Sequence, residues 1–144
     1  MLSKNTNIPY FDADDFHPEA NVIKMKSGTP LNDDDRLGWL HTLNKLASKK
    51  TNEKGAIIAC SALKESYRQI LASQCTTDIT WIVLHGSYEL LTERVAQRQG
   101  HFFDPDLLQS QLDTFELPDY GLRLDVAQNP NTIVDAIVNR MNEQ

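Results

Sequence analysis

The chain has 144 residues, of which 40% are hydrophobic and 24% charged, with a formal net charge of −6; this is one domain's worth of chain, enough to bury a real core. The acidic balance argues against a nucleic-acid or anionic-membrane partner, which would want a basic stripe, although local cation pairs can still bind a small anion. The longest strongly apolar stretch, Ile79 to Leu84, is far too short to span a bilayer, residues 1–7 carry no secretory hydrophobic region, and Cys60 and Cys75 read as packed or incidental thiols rather than a bridge, all of which suits the cytoplasm.

In chain order, Ile8 to Phe11 is a short apolar run, a candidate strand, that leads into an acidic cluster. Leu37, Leu40, Leu43 and Leu46 then repeat at helical spacing, with Asn32 or Asp33 as the cap. Ala56 to Cys60 is the second strand, after a Lys/Asn/Gly turn signal, and Leu63, Tyr67, Ile70 and Leu71 form a helical stripe behind Ser61. Ile79 to Leu84, β-branched and aromatic, is the third strand, and Leu91 and Val95 follow Ser87 on another helix. Leu108, Leu112 and Phe115 make the next stripe. Leu122 to Val126 follows Pro118 and Gly121 as a fourth strand, and Ile133, Val134, Ile137, Val138 and Met141 close the chain as a helix. The first three strands are mostly apolar throughout, which predicts a sheet covered on both faces; the fourth alternates and belongs nearer an edge. Strands alternating with helices predict an α/β fold with a parallel sheet and helices on both faces, in a single domain over residues 1–144.

Ligands of open α/β sheets bind beyond the carboxyl ends of the strands. After the first strand stand Asp12, Asp14, Asp15 and His17; after the second, Ser61, Lys64 and Arg68; after the third, His85, Arg94 and Arg98; after the fourth, Ala127, Gln128 and Asn129. Clustered carboxylates repel one another unless a metal, a cation or a proton-bearing substrate sits among them. In phosphoryl transfer one such group can accept the attacking hydroxyl's proton while another helps hold magnesium. The plain reading is a solvated acidic turn that caps the next helix. Arg94 and Arg98 share a helical face by their spacing of four and could embrace a polyphosphate, or could simply be solvated or paired with Glu89 or Glu93. Lys64 and Arg68 have the same spacing and the same two readings. His17 and His101 are ligand contacts or surface histidines, and no histidine spacing forms a zinc set.

Taken in order, four blocks resemble the gluconate kinase family: DADDFHPEANVIKMKSGTPLNDDDRLGWL (Asp12 to Leu40), ACSALKESYR (Ala59 to Arg68), HGSYELLTERVAQRQGHFF (His85 to Phe103) and SQLDTFE (Ser110 to Glu116). The resemblance covers nearly the whole chain. It implies a P-loop fold like that of nucleoside monophosphate and shikimate kinases, and transfer of the γ-phosphoryl group of ATP to the 6-hydroxyl of D-gluconate with Mg²⁺. By the same resemblance Asp14 is the base at the substrate hydroxyl, and Asp12 assists Mg²⁺ through water. His17, Arg36, Lys64 and Arg68 hold the sugar acid, whose carboxylate suits the bidentate guanidinium of Arg36. Arg94, Arg98 and His101 belong to a lid, at about residues 94–108, that closes over ATP and excludes water. A homodimer stays open.

Three departures from the family pattern stand out. His85 stands where the family often has lysine, and Ala127 where an aspartate often follows the last strand. Nowhere among the 144 residues is there a G-x-x-x-x-G-K-[ST] motif, whose backbone amides, lysine and hydroxyl cradle phosphates and Mg²⁺. By resemblance that loop and the family's first, central strand would precede Met1, with Met1 to Thr6 as the tail of the following helix. The strands at 56–60 and 79–84 would then lack their shared neighbour unless they closed on each other. The expectation is a kinase whose working form begins upstream, with residues 1–144 alone inactive. The alternatives are a non-catalytic sugar-acid-binding or regulatory relative, and a separate chain that supplies the loop.

Overall fold

The computed structural model describes residues 1–98 and 107–144. Among them the order is α1 (Leu2–Thr6), β1 (Tyr10–Asp12), a 3-10 turn (Ala13–Phe16), α2 (Glu19–Lys26), α3 (Asp33–Thr51), β2 (Ile57–Ala59), α4 (Glu65–Ala72), β3 (Ile82–His85), α5 (Tyr88–Gln97), α6 (Leu107–Thr114), β4 (Leu122–Asp125) and α7 (Pro130–Asn142). Every strand expected from the sequence is present, each shorter than its apolar run or displaced along it.

Helix α3 is the longest described element, and its start is chemically over-determined. The Asn32 side chain accepts from the Asp35 amide at 2.8 Å while the Asp35 carboxylate accepts from the Asn32 amide at 2.9 Å, a reciprocal capping box. Asp33, Asp34 and Asp35 lie in the first turn and Lys49 and Lys50 in the last, the arrangement that complements the helix dipole. The leucine stripe is only half right. Steps of three residues fall about 60° short of a full turn, so four leucines so spaced walk around the helix. Leu40 and Leu43 are buried, but Leu37 is exposed, and Trp39 completes the buried face instead.

That face packs on α4 and its approach: Trp39, Leu40 and Leu43 share one cluster with Ala13, Leu63, Tyr67 and Leu71. Asn44, buried among them, donates to the Leu71 carbonyl at 2.7 Å, so its amide is not left without a partner. A smaller cluster of Met25, Leu31 and Leu107 joins α2, the entry to α3 and α6.

The expected single sheet is a pair of two-stranded parallel sheets. β1 pairs with β2, Phe11 opposite Ile58, and β3 pairs with β4, Leu84 opposite Leu124. β2 and β3 do not close on each other, and among the described residues each has one hydrogen-bonded neighbour. The α/β class holds, but none of the three apolar strands is screened along its length: in β1, Tyr10 is exposed. Ile57 and Ile58 are half-buried and Leu84 is exposed, because a two-stranded ribbon offers no inner strand position where both faces and both edges are screened. Each parallel pair is bridged by helices, as parallel pairing requires.

Gly121 sets the approach to β4. Its φ is +85°, and a Cβ placed there would lie 2.7 Å from the Trp81 carbonyl oxygen, which accepts the Leu122 amide. A side chain would meet both backbone strain and a rigid backbone atom. Gly121→Ala is expected to lower unfolding stability by about 1–3 kcal/mol, read as a lower urea midpoint at unchanged slope.

Candidate active site

The carboxyl end of β1 runs directly into the 3-10 turn, and this junction builds the acidic end of the site. The Asp12 carboxylate caps the turn by accepting from the Asp14 amide at 3.0 Å. Ala13 between them is fully buried, and its carbonyl accepts from the Trp39 indole at 2.7 Å. Asp14 therefore projects from a turn clamped at both sides.

His17 follows, stacked on Trp39 with ring centroids 4.2 Å apart and planes 14° from parallel. The Asn21 amide nitrogen donates to His17 Nδ1 at 3.3 Å, which places the proton of the neutral ring on Nε2, 3.7 Å from Asp14 Oδ1. Burial, reinforced by the nearby Arg36 guanidinium, pushes the imidazole down to about 4. At neutral pH His17 is thus an uncharged donor rather than a cation. Asn21 also donates to the Asp35 carbonyl at 2.8 Å, and Lys24 bonds the Asp35 carboxylate at 2.6 Å, so α2 is latched to the start of α3.

The cationic end is built by α3 and α4. Arg36, buried, donates from Nη1 to the Tyr67 hydroxyl at 3.0 Å and lies 5.5 Å from that ring's centroid. Tyr67 in turn donates to Asp33, whose carboxylate also accepts from Lys64 Nζ at 3.0 and 3.3 Å. The Tyr67 hydrogen bond, then the Lys64 one, hold the Asp33 carboxyl below its usual range, and the same bond to Asp33 raises Lys64. Tyr67, pushed up by burial and by Asp33, stays a phenol.

Two adjoining cavities join these ends. One, of about 30 Å³, is lined by Asp14, His17, Arg36, Trp39, Ser61 and Gln111 among others. The second, more open and about 540 Å³, is lined by Asn32, Asp33, Asp34, Arg36, Lys64 and Thr114 with Leu31. Arg36 and Leu31 line both, so the cavity at the Asp14 carboxylate and the cavity at the Lys64 ammonium meet at these two side chains.

The remaining residues singled out from the sequence fall elsewhere. Arg68 lines neither cavity; its guanidinium donates to the carbonyls of Ala62 and Glu116, each at 2.7 Å, and to Glu65 and Tyr120, each at 3.1 Å. Arg94 donates to the Val126 carbonyl at 2.8 Å, joining α5 to the end of β4. Arg98 ends α5, and its charge acts on the Tyr10 hydroxyl at the start of β1. His101, and most of the lid expected at about 94–108, lie outside the described residues. Among the described residues no group of three or more metal-ligating side chains assembles.

Sequence reasoning missed Asp33, Tyr67 and Trp39 as parts of the site. The signal was spacing: Tyr67 stands three residues from Lys64 and Trp39 three from Arg36, so each shares its neighbour's helical face. Cys60, pushed up to about 12 by burial, is a closed thiol.

The buried neutral histidine carries a pH signature. His17 titrates near 6.5 in an unfolded chain and near 4 here, so between those values the unfolded state holds more protons. Stability is therefore full above about pH 6.5 and is lost as pH falls toward 4, by on the order of 2–3 kcal/mol. Urea midpoints followed from pH 7 to 4 should drop along that window, and His17→Gln should flatten the drop.

The geometry has close relatives. A probable gluconokinase of Dictyostelium discoideum is 40% identical over 151 residues, covering 96% of this chain and 76% of that protein. The crystal structure of a gluconokinase from Sinorhizobium meliloti 1021 superposes with a TM-score of 0.84 at 36% identity, covering 99% of this chain and 83% of that one. An unliganded sugar kinase from Janibacter sp. HTCC2649 superposes with a TM-score of 0.89 at 34% identity, covering 98% and 83%. No protein-family model matches the chain. With this identity over this length, an α/β kinase-like fold and the carboxylate-to-cation cleft in place, the chain belongs to the gluconokinase family of kinases.

Proposed function

We propose that the cleft receives D-gluconate with its carboxylate toward Arg36 and Lys64 and its 6-hydroxyl toward Asp14. The observation that carries this reading is that the cavity beside Asp14 and the cavity beside Lys64 share Arg36 as a lining residue. A sugar acid is an anion at one end and an alcohol at the other; the outer cavity offers Arg36 and Lys64, the latter paired with Asp33, and the inner one offers the Asp14 carboxylate. In the proposed reaction the Asp14 carboxylate takes the proton of the 6-hydroxyl. That oxygen bonds to the γ-phosphorus of ATP as the bond from phosphorus to the β,γ-bridging oxygen breaks, and its electrons leave with ADP. Neutral His17 donates from Nε2, so it orients an oxygen without adding charge beside Asp14.

Magnesium fits this chain as a phosphate-borne ion. It commonly takes one or two carboxylates plus waters and phosphates rather than a protein cage. Asp12, whose Oδ1 is engaged by the Asp14 amide, is the residue that would hold it through water. When bound, the ion neutralises charge that develops between the β- and γ-phosphates. Arg94, Arg98 and His101 are proposed to face ATP from the lid.

No helix among the described residues is long and apolar enough to cross a membrane, and we place the reaction in the cytoplasm. We further propose that residues 1–144 alone bind the sugar acid but turn over poorly. The sugar-acid cleft is built within residues 12–114, whereas no G-x-x-x-x-G-K-[ST] loop lies in the sequence to cradle phosphates. A coupled assay for 6-phosphogluconate, run on residues 1–144 and on a version extended by a strand and such a loop, tests this; equal rates would refute it.

Two substitutions test the cleft. Asp14→Asn in the extended version should cut kcat by roughly 10²–10⁴-fold while gluconate binding persists, since an amide accepts no proton. Near-normal kcat would remove Asp14 from the role of base. Arg36→Met in residues 1–144 should raise the calorimetric Kd for gluconate by roughly 10–100-fold, the scale of one lost charged hydrogen bond. An unchanged Kd would place the carboxylate elsewhere.

A further inference from the structure

Arg68 is buried, yet it does not reach the cleft. Its donors converge on two segments far apart in sequence. Nη1 grips the carbonyl of Ala62, and Nη2 grips that of Glu116. The same two segments are bonded twice more. The Glu116 amide donates to the Leu63 carbonyl at 2.7 Å, and the Glu65 amide donates to Glu116 Oε1 at 2.9 Å. Tyr120 closes the ring: its hydroxyl accepts from Arg68 Nε and donates to Glu65 Oε2 at 2.7 Å.

What these bonds hold is not relaxed. Ala62 has a φ of +38°, in the left-handed region that an alanine avoids, and a conformation of that kind persists only where its surroundings over-determine it. The Ala62 turn sets the direction of the chain between Ser61, which lines the inner cavity, and Lys64, which lines the outer one. Glu116 follows α6, whose Leu107, Ser110 and Gln111 form the opposite wall of the inner cavity.

We propose that Arg68 is a positioning residue: by clamping the Ala62 and Glu116 carbonyls together, it holds the Ser61–Lys64 turn and the α6 wall at the separation that sugar-acid binding needs. A planar guanidinium with diverging N–H groups can bridge two carbonyls at once, and an ammonium on a flexible stem does so poorly. This rests on the reading of the cleft as a gluconate site.

The test compares the native chain, Arg68→Lys and Tyr120→Phe by three measurements: gluconate Kd by calorimetry at 20 °C, thermal unfolding, and hydrogen exchange at the Glu65 and Glu116 amides. Arg68→Lys keeps the charge and should raise Kd about tenfold or more, because small misplacements of binding groups are costly. Both amides should exchange faster in the same variant while it remains fully folded at 20 °C. Tyr120→Phe, which spares the two carbonyl grips, should show a smaller change in the same direction. A merely structural role would lower the unfolding temperature and leave Kd at 20 °C unmoved. Arg68→Lys with native Kd overturns the proposal. If Arg68→Lys does not fold, Tyr120→Phe with native Kd and native exchange overturns it. A native chain that binds no gluconate overturns the functional reading and this proposal together, whereas native binding that survives Arg68→Lys removes this proposal alone.

Discussion

The bond from the Trp39 indole to the Ala13 carbonyl is the constraint on which the site depends. Ala13 lies between Asp12, which caps the 3-10 turn, and Asp14 within it, and Trp39 lies one helical turn from Arg36. One buried hydrogen bond thus ties the carboxylate end of the cleft to the helix that carries its cationic end. The same indole supplies the platform for His17, and the core closes around it through Leu40, Leu43 and Tyr67. A buried indole N–H left without an acceptor would carry a desolvation penalty, so the turn and the helix are held in one relation rather than several.

Around this bond the polar groups are arranged in relays rather than isolated pairs. Asn21 spans His17 and the Asp35 carbonyl, and Asp35 serves both the α3 cap and Lys24. On the other side, Arg36, Tyr67, Asp33 and Lys64 form a chain that alternates donor and acceptor. Asp33, which the sequence offers beside Asn32 as the cap of α3, is also the counter-ion of Lys64. Such sharing lets a small chain orient many side chains with few residues, at the cost that each member's geometry depends on the next.

Much of this was legible in the sequence. The four strands, the α3 cap at Asn32 (one of the two residues offered) and the closing helix follow from local chemistry that tertiary contacts do not override. Asp14, His17, Arg36 and Lys64 were singled out because strand ends and ordered motif blocks point to one edge; Asp14, His17 and Arg36 line one cavity, and Arg36 and Lys64 the cavity beside it. What was not legible depends on partners distant in sequence. Arg68 and Lys64 look equivalent as cations four residues apart, and only the fold, by setting Glu116 and Tyr120 beside one of them, separates a buried clamp from a cleft residue. Leu37 and Trp39 exchange roles because a three-residue repeat is not a helical period. Strand pairing came from the family resemblance rather than from the apolar runs: a missing central strand leaves β2 and β3 without their shared neighbour, and they stay apart.

The two tryptophans of the sequence touch different aromatic partners, although Trp81 packs against the core cluster that contains Trp39. Trp39 is stacked on His17 in the wall of the cleft, while Trp81, at the approach to β3, meets the Tyr120 ring edge-on with centroids 6.3 Å apart. Indole emission responds to the groups in van der Waals contact with it. The chain's own fluorescence is therefore a two-channel signal, one indole reporting the chemistry of the cleft and the other the seam between the second strand pair and the Tyr120 corner. Replacing Trp81 by phenylalanine would isolate the cleft channel without attaching a dye and without touching the Trp39 to Ala13 bond.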